Sequence, residues 1–187
     1  MARWEPDAEE RLREAAMELF LARGYEQTTV ADIAGSVGLT ARTFFRYFAD
    51  KREVLFAGSV ILQETMAAAV AAAPDDASPM EAVAAALEAI APFLGRDRAF
   101  SRRRQTIVEA NAELRERELI KMATLARTLT DGLKQRGVKD PDASLAAEAG
   151  IAVFRVAFAR WVTQARKQDL AVVMRESLAQ LRAVTAT

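Results

Sequence analysis

Apolar residues recur at intervals of three to four along almost the whole chain, and runs that alternate polar with apolar are nearly absent. That periodicity lines up hydrophobic side chains on one face of an α-helix and gives a β-strand no buried face. Punctuation is sparse, with 8 Gly and 5 Pro among 187 residues, and alanine is abundant. The expectation is an all-α protein of about nine helices. No repeat of about 20–50 residues is visible, which argues against a helical solenoid. With 51% hydrophobic and 28% charged residues the chain has the means to build a packed core. Its length fits one domain, or a small one fused to a modest second.

Two absences remove whole classes of chemistry. Without cysteine there is no disulfide, thiolate zinc site or thiol nucleophile; without histidine there is no imidazole proton shuttle, His-ligated metal or Ser-His-Asp arrangement. No metal or cofactor is expected, and the chain is read as not an enzyme. No apolar run approaches the ~20 residues of a membrane span. Met1 to Glu10 mixes both charges instead of placing basic before apolar residues. The expectation is a cytoplasmic protein with no membrane partner.

Start and stop signals divide the chain. A first helix runs from about Asp7 to Arg23, carries Leu12, Ala15, Ala16, Leu19 and Phe20 inward, and stops at Gly24. Thr29 with Asp32 three residues on is a carboxylate variant of the capping box. It opens a short helix with Val30, Ile33, Ala34 and Val37 inward, ending at Gly38. A third helix follows Thr40. Asp50 and Glu53 then cap a longer fourth helix, Lys51 to about Ala72. After a linker at 73–79, Ser78, Pro79 and Glu81 restart a helix that bends or ends near Pro92 and Gly95. Further helices are expected over about 99–111, 112–136, 142–167 and 170–184.

Residues 29–48 therefore read as helix, Gly-containing turn, helix, with both helices too short to stand alone. This is the helix-turn-helix spacing, in which the second helix enters the DNA major groove. On that helix Phe44 and Phe48 lie about 40° apart and can anchor it, while Arg42 and Arg46 point about 160–200° away from Phe44. Thr43, Phe45 and Tyr47 fall on the flanks. Outward arginines beside an aromatic and hydroxyls suit base edges and phosphates. Lys51 and Arg52 open the expected fourth helix, where a phosphate is favoured. Thr29 and Ala41, at the starts of the two short helices, complete the candidate contacts. Between 40 and 52 four basic residues face one acid, but residues 1–60 carry eight basic against ten acidic side chains, a net of −2. DNA affinity must then come from a local patch, doubled by dimerisation and weakened by salt.

The stretches Thr28-Thr29-Val30-Ala31-Asp32-Ile33-Ala34, Val37-Gly38-Leu39-Thr40 and Thr43-Phe44-Phe45-Arg46-Tyr47-Phe48-Ala49-Asp50-Lys51 resemble the signature of TetR-family transcriptional regulators. The resemblance is specific over roughly residues 10–60 and beyond that is one of helix number and length. It implies that positions matching Thr40, Arg42, Thr43, Phe45, Tyr47 and Lys51 contact DNA. Many members carry a small residue where Arg42 stands, so no base preference is transferred. The Phe-Phe-Arg-Tyr-Phe run resembles a subgroup common among actinobacterial regulators.

The resemblance further implies a C-terminal domain that dimerises through its last two long helices and holds an inducer. Ala146, Gly150, Val153 and Ala157 cluster within about 60°, a stripe suited to close helix approach, and Leu170, Met174, Leu178 and Leu181 stripe the last helix. These two stripes are expected to meet a two-fold mate, the alternative being core within one chain. Phe93, Phe100, Ile107, Met122, Leu125, Leu129, Phe154, Phe158 and Trp161 are candidate pocket residues, with Arg103, Gln105 or Glu109 as polar handles, although such stripes are more often ordinary core. Five arginines fall between 96 and 104; a solvated helix junction is preferred for them over an anion site.

Taken together, the expectation is a helix-turn-helix DNA-binding domain over residues 1–50 and a helical ligand-binding and dimerisation domain over 51–187. The protein would be a ligand-responsive regulator, a repressor acting as a homodimer on a palindromic double-stranded operator, its unknown small-molecule effector working through the fourth helix. The alternative is an all-helical small-molecule or protein-binding protein without operator function.

Overall fold

The computed structural model describes residues 8–186. Among these, the chain forms nine α-helices and one 3-10 turn and no strand: α1 (Ala8–Arg23), α2 (Val30–Ser36), α3 (Ala41–Tyr47), the 3-10 turn (Glu53–Leu55), α4 (Ser59–Ala72), α5 (Pro79–Gly95), α6 (Arg98–Ala110), α7 (Ala112–Gln135), α8 (Asp140–Thr163) and α9 (Leu170–Thr185). The expected helix start at Asp7, and most of the Met1–Glu10 segment, lie outside the described residues. The chain has two compact units: residues up to Ala57 with Arg103–Glu118, and Gly58–Arg102 with Leu119 onward. The small unit thus extends past residue 50 and takes in a segment of α6 and α7 from far along the sequence.

In the small unit α1 packs on α2, α3 and the 3-10 turn. Leu12, Ala16, Met17 and Phe20 of α1 are buried with Ile33, Ala34, Phe44 and Phe48. The 103–118 segment is joined to the rest of the unit by ion pairs of Arg117 with Glu53 at 2.6 Å, Arg52 with Glu113 at 3.1 Å and Arg103 with Glu14 at 3.4 Å, and Arg104 pairs with Glu118 inside it at 3.0 Å. Arg104 also donates to the Leu55 carbonyl at 2.7 Å and lies over the Phe56 ring. The exposed pairs of Arg52 and Arg103 contribute about 0–1 kcal/mol each; those of Arg104 and Arg117 are half-buried.

The fourth helix does not begin at Lys51. Val54, Leu55 and Phe56 are consecutive and all buried, and in an α-helix three successive side chains fan over about 200°, too wide for one buried face. The chain instead makes a tight turn there. Asp50 accepts from the backbone N–H groups of Arg52 (2.8 Å) and Glu53 (3.1 Å), which starts only the 3-10 turn. Gly58 then adopts φ +87°, and a Cβ at that position would stand 2.6 Å from the Phe93 ring. Only after it does α4 run.

The large unit is organised on α5, which contacts α4, α8 and α9. Its sequence is apolar nearly all round, and Ala82, Val83, Ala86, Leu87, Ile90 and Ala91 are all buried, as expected of a helix enclosed by others. Each buried Val, Leu or Ile contributes about 1.5–3 kcal/mol. Ser78 and Glu81 form the capping box that starts it, with Pro79 inside the first turn.

The small-residue stripe on α8 serves this core. Ala146, Gly150, Val153 and Ala157 are buried within the chain itself, as are Leu170, Met174 and Leu178, and Leu181 packs against the same cluster. A Cβ on Gly150 would come within 2.3 Å of Val83 Cγ1, so the glycine admits α5. The stripe chosen for a two-fold mate is therefore intrachain core. The same helix exposes another apolar face, Leu145, Ala152 and Val156.

The arginine run is not a solvated junction either. Arg98 donates to the carbonyl of Trp161 (2.7 Å) and to that of Gln164, and Arg102 to that of Val162 (2.8 Å). These guanidinium groups satisfy the last carbonyls of α8, where cations are favoured, and α8 stops at Thr163 instead of continuing to 167. Arg136 does the same for α4 through the Val70, Ala73 and Pro74 carbonyls.

Two measurements test this packing. Gly150→Ala gains up to ~1 kcal/mol in helix propensity, yet the contact with Val83 makes it destabilising by about 1–3 kcal/mol in denaturant unfolding; adding Val83→Ala recovers part of the loss. Acid should also destabilise the protein. Hydrogen bonds from the Thr29 side chain to Asp32, from the Arg52 side chain to Asp50 and from the Ser78 side chain to Glu81 hold these carboxyls below their usual range. Such groups stabilise the fold above their unfolded pKa of about 4, and the contribution is lost as pH falls through the lower folded value. The melting temperature is expected to drop from about pH 5 towards about pH 2, less steeply in Asp50→Asn than in the parent.

Candidate nucleic-acid interface

The helix-turn-helix is built by three local devices. At the start of α2, Thr29 Oγ1 accepts from the Asp32 N–H at 3.1 Å and Asp32 accepts from the Thr29 N–H at 2.9 Å, the reciprocal box. At its end, Leu39 N–H donates to the Ala34 carbonyl at 2.8 Å and Gly38 N–H to the Gly35 carbonyl at 3.1 Å, with Gly38 at φ +70°. That pair of bonds is the Schellman arrangement, and it sets the angle at which the chain leaves α2. Arg11 of α1 donates to the Val37 carbonyl at 2.6 Å and pins the turn. Thr40 then caps α3 by accepting from the Thr43 N–H at 3.2 Å.

On α3 the expected division of faces is present. Phe44 is 0% exposed and Phe48 4%, their rings 5.1 Å apart, while Phe45 is 55% exposed and stands edge-on to Phe44 at 5.6 Å. Arg42 and Arg46 are exposed; Ala41, Thr43 and Tyr47 are half-buried. Arg42 makes no ion pair or hydrogen bond with another described residue. Arg46 differs: its Nη2 donates to the Tyr47 hydroxyl at 2.9 Å and its guanidinium lies 4.9 Å from that ring's centre.

The hydroxyls are not equally available. Thr40 and Thr43 share one hydrogen bond at 3.1 Å, so one hydroxyl proton of the two remains to offer a phosphate oxygen. The Thr29 hydroxyl donates to Asp32 at 2.6 Å, and its proton is committed to the cap.

Lys51 sits in a turn, not at a helix N-terminus. It donates to the Tyr25 carbonyl at 2.8 Å and lies 4.0 Å from the centre of the buried Tyr25 ring. Burial also pushes the Tyr25 phenol well up from its usual range, keeping the ring neutral beneath the cation. The carbonyl takes one of the three ammonium protons. Arg52, expected to favour a phosphate, is held by Asp50 and Glu113, and these carboxylates raise its pKa further. The positive patch thus reduces to the exposed Arg42 and Arg46 with the half-buried Lys51. Neither the Arg46–Tyr47 pair nor the Lys51–Tyr25 anchor follows from helical spacing; an aromatic beside a basic residue was the only sequence signal for the first.

The candidate effector residues are distributed differently. Phe93 lies against the Gly58 backbone. Phe154, Phe158 and Trp161 stack in series at 5.9 and 5.8 Å, and Met122, Leu125 and Leu129 belong to or pack on the same core. Phe100 is half-buried on α6. Ile107, Arg103, Gln105 and Glu109 belong to the small unit, where Arg103 meets Glu14 and Gln105 donates to Glu109. In the large unit a cavity of about 160 Å3 opens between Pro92, Gly95 and Arg96 of the α5 end and Trp161, Gln168 and Asp169. That is below the ~300–1,000 Å3 of typical ligand sites, and of the candidates only Trp161 lines it. Among the described residues no helix is long and apolar enough to cross a membrane, and no cluster of His, Cys, Asp or Glu has the makings of a metal site.

Comparison with known proteins agrees with this geometry. Residues 12–57 match the model described as bacterial regulatory proteins, tetR family, and residues 77–186 match the MftR C-terminal domain. The chain is 45% identical over 83 residues to the HTH-type transcriptional regulator TcmR of Streptomyces glaucescens, covering 44% of this chain and 35% of TcmR. It is 42% identical over 43 residues to the regulator MftR of Mycobacterium tuberculosis, covering 23% of this chain and 22% of MftR. The matches thus span about a third or less of these relatives' lengths. The crystal structure of FadR from Thermus thermophilus, a TetR-family transcriptional repressor, shares the fold with a TM-score of 0.60 at 23% identity, over 96% of this chain and 95% of that one. With one model fitting the reading helices and the other fitting α5 through α9, the chain belongs to the tetR family of bacterial regulatory proteins.

Proposed function

We propose that the protein is a ligand-responsive transcriptional repressor that binds a palindromic operator as a homodimer, reading DNA with residues 1–50 and using 51–187 for effector binding and self-association. The observation that carries this reading is the pair of buried rings, Phe44 and Phe48, which hold Arg42 and Arg46 out on the opposite face of α3 and leave Phe45 exposed on its flank. Thr29, Thr40, Ala41, Thr43, Tyr47 and Lys51 complete the proposed DNA contacts, Thr29 through its methyl because its hydroxyl and its N–H are both engaged by Asp32. The proposal includes a cytoplasmic location, no enzymatic activity, and membership in the Phe-Phe-Arg-Tyr-Phe subgroup.

Two reading helices reach successive major grooves only if their spacing is about one helical turn, ~34–36 Å, or a multiple of it, which makes the dimer part of the function. For its interface we favour the uncovered side of α8, where Leu145, Ala149, Ala152 and Val156 fall within about 60°; Leu145 is 70% and Val156 54% exposed. Thermus thermophilus FadR is described in complex with lauroyl-CoA, which supports an effector with a large apolar portion. Such a molecule releases the operator only if it binds the DNA-incompetent state better.

Light scattering of the parent is expected to give a dimer at micromolar concentration, and the Leu145→Glu/Val156→Glu double variant a folded monomer with operator affinity reduced at least ~10-fold. In a fluorescence-anisotropy titration over a range of salt, Lys51→Ala should weaken binding to all duplexes alike and lower the salt slope by about one. A parent that stays monomeric, or that binds no duplex at low salt, overturns the proposal.

A further inference from the structure

The two arginines of the reading helix are in different states, and the difference assigns them different work. Arg42 is exposed, and no other described residue engages its guanidinium fork. Arg46 has already given one N–H to the Tyr47 hydroxyl and lies against that ring. A bidentate grip on guanine O6 and N7 takes two parallel N–H groups from one edge of the guanidinium. Both such edges of Arg42 are open among the described residues, whereas the bond from Nη2 occupies one edge of Arg46 and the stacking on Tyr47 fixes the direction of the other. A guanidinium held beside a phenol instead presents two donors at one point, the geometry of a phosphate grip, since the Tyr47 hydroxyl accepts from Arg46 and keeps its own proton to donate.

Phe45 is the third part. More than half of its surface faces water, yet its ring is fixed edge-on to the fully buried Phe44. Arg42 and Phe45 are three residues apart, so they lie on neighbouring lines of the helix, about 60° around it and offset by ~4.5 Å along its axis. Their Cβ atoms are then about 5–6 Å apart, within reach of adjacent base pairs stacked ~3.4 Å apart. The apolar group that major-groove edges offer is the thymine C5-methyl.

We infer that Arg42 and Phe45 form the base-reading pair of this protein, taking a guanine and the methyl group of a neighbouring thymine in each half-site, while Arg46 with Tyr47 grips the phosphate backbone. The inference rests on the DNA-binding reading above and adds the chemistry of the sequence recognised.

The test selects bound molecules from a random-sequence duplex library with the full-length protein, then replaces the enriched thymine by deoxyuridine, which removes the methyl and keeps every hydrogen-bonding group. Guanine beside thymine is expected in each half-site. The deoxyuridine duplex should bind the parent about 3–10-fold more weakly and leave Phe45→Ala unaffected, while Phe45→Leu retains part of the effect. Arg42→Ala should lose the guanine preference by about 10–100-fold, within the range of one bidentate contact. Arg46→Ala should weaken selected and scrambled duplexes equally. Unchanged melting temperatures would show that the exposed substitutions leave the fold intact. A parent indifferent to deoxyuridine, a guanine preference that survives Arg42→Ala, or an enriched site without this step overturns the inference and leaves DNA binding standing. Failure to enrich any duplex removes both.

Discussion

The reading helix has seven residues, too few to persist in water by themselves, and its conformation depends on Phe44 and Phe48. Burying both rings against α1 and α2 fixes the rotation of α3, and with it the direction of every side chain on its outer face. The turn before it is equally constrained, because the Schellman bonds from Gly38 and Leu39 leave one path out of α2. A short helix can therefore present Arg42, Phe45 and Arg46 in a fixed arrangement while adding almost no stability of its own.

Arginine does three distinct jobs in this chain, and its chemistry explains each. At the ends of α8 and α4 the planar fork of Arg98, Arg102 and Arg136 bridges several backbone carbonyls that the helix leaves unpaired. Around the 3-10 turn Arg52, Arg104 and Arg117 bring charge to carboxylates on distant segments. On α3 no other described residue engages the fork of Arg42. A count of positive charge near the reading helix misses this division: Arg52 carries the same formal charge as Arg42, yet it is already neutralised by Asp50 and Glu113.

Small residues divide in a similar way. Gly150 and its neighbours on α8 let α5 come close, and the large unit closes around α5 as a result. A stripe of small side chains signals close approach without naming the partner. Here that partner is Val83 of the same chain, while the larger side chains Leu145 and Val156 of the same helix stay uncovered.

Periodicity, caps and stops made the all-helical class, the nine α-helices of the described residues and both faces of α3 legible from the sequence, because each is set by residues within a turn or two of one another: Thr29 with Asp32, Ser78 with Glu81, Phe44 with Phe48. What required coordinates was every choice of partner across the chain. Arg104 meeting Leu55 and Glu118, Lys51 resting on Tyr25, and the placement of 103–118 in the small unit join segments whose separation in sequence carries no register. The fourth helix fails at its start for the same reason: local capping by Asp50 favoured a helix, but burial of Val54, Leu55 and Phe56 together demanded a turn. Local geometry is written in the order of residues, whereas which surfaces meet depends on how the whole chain shares out its limited buried space.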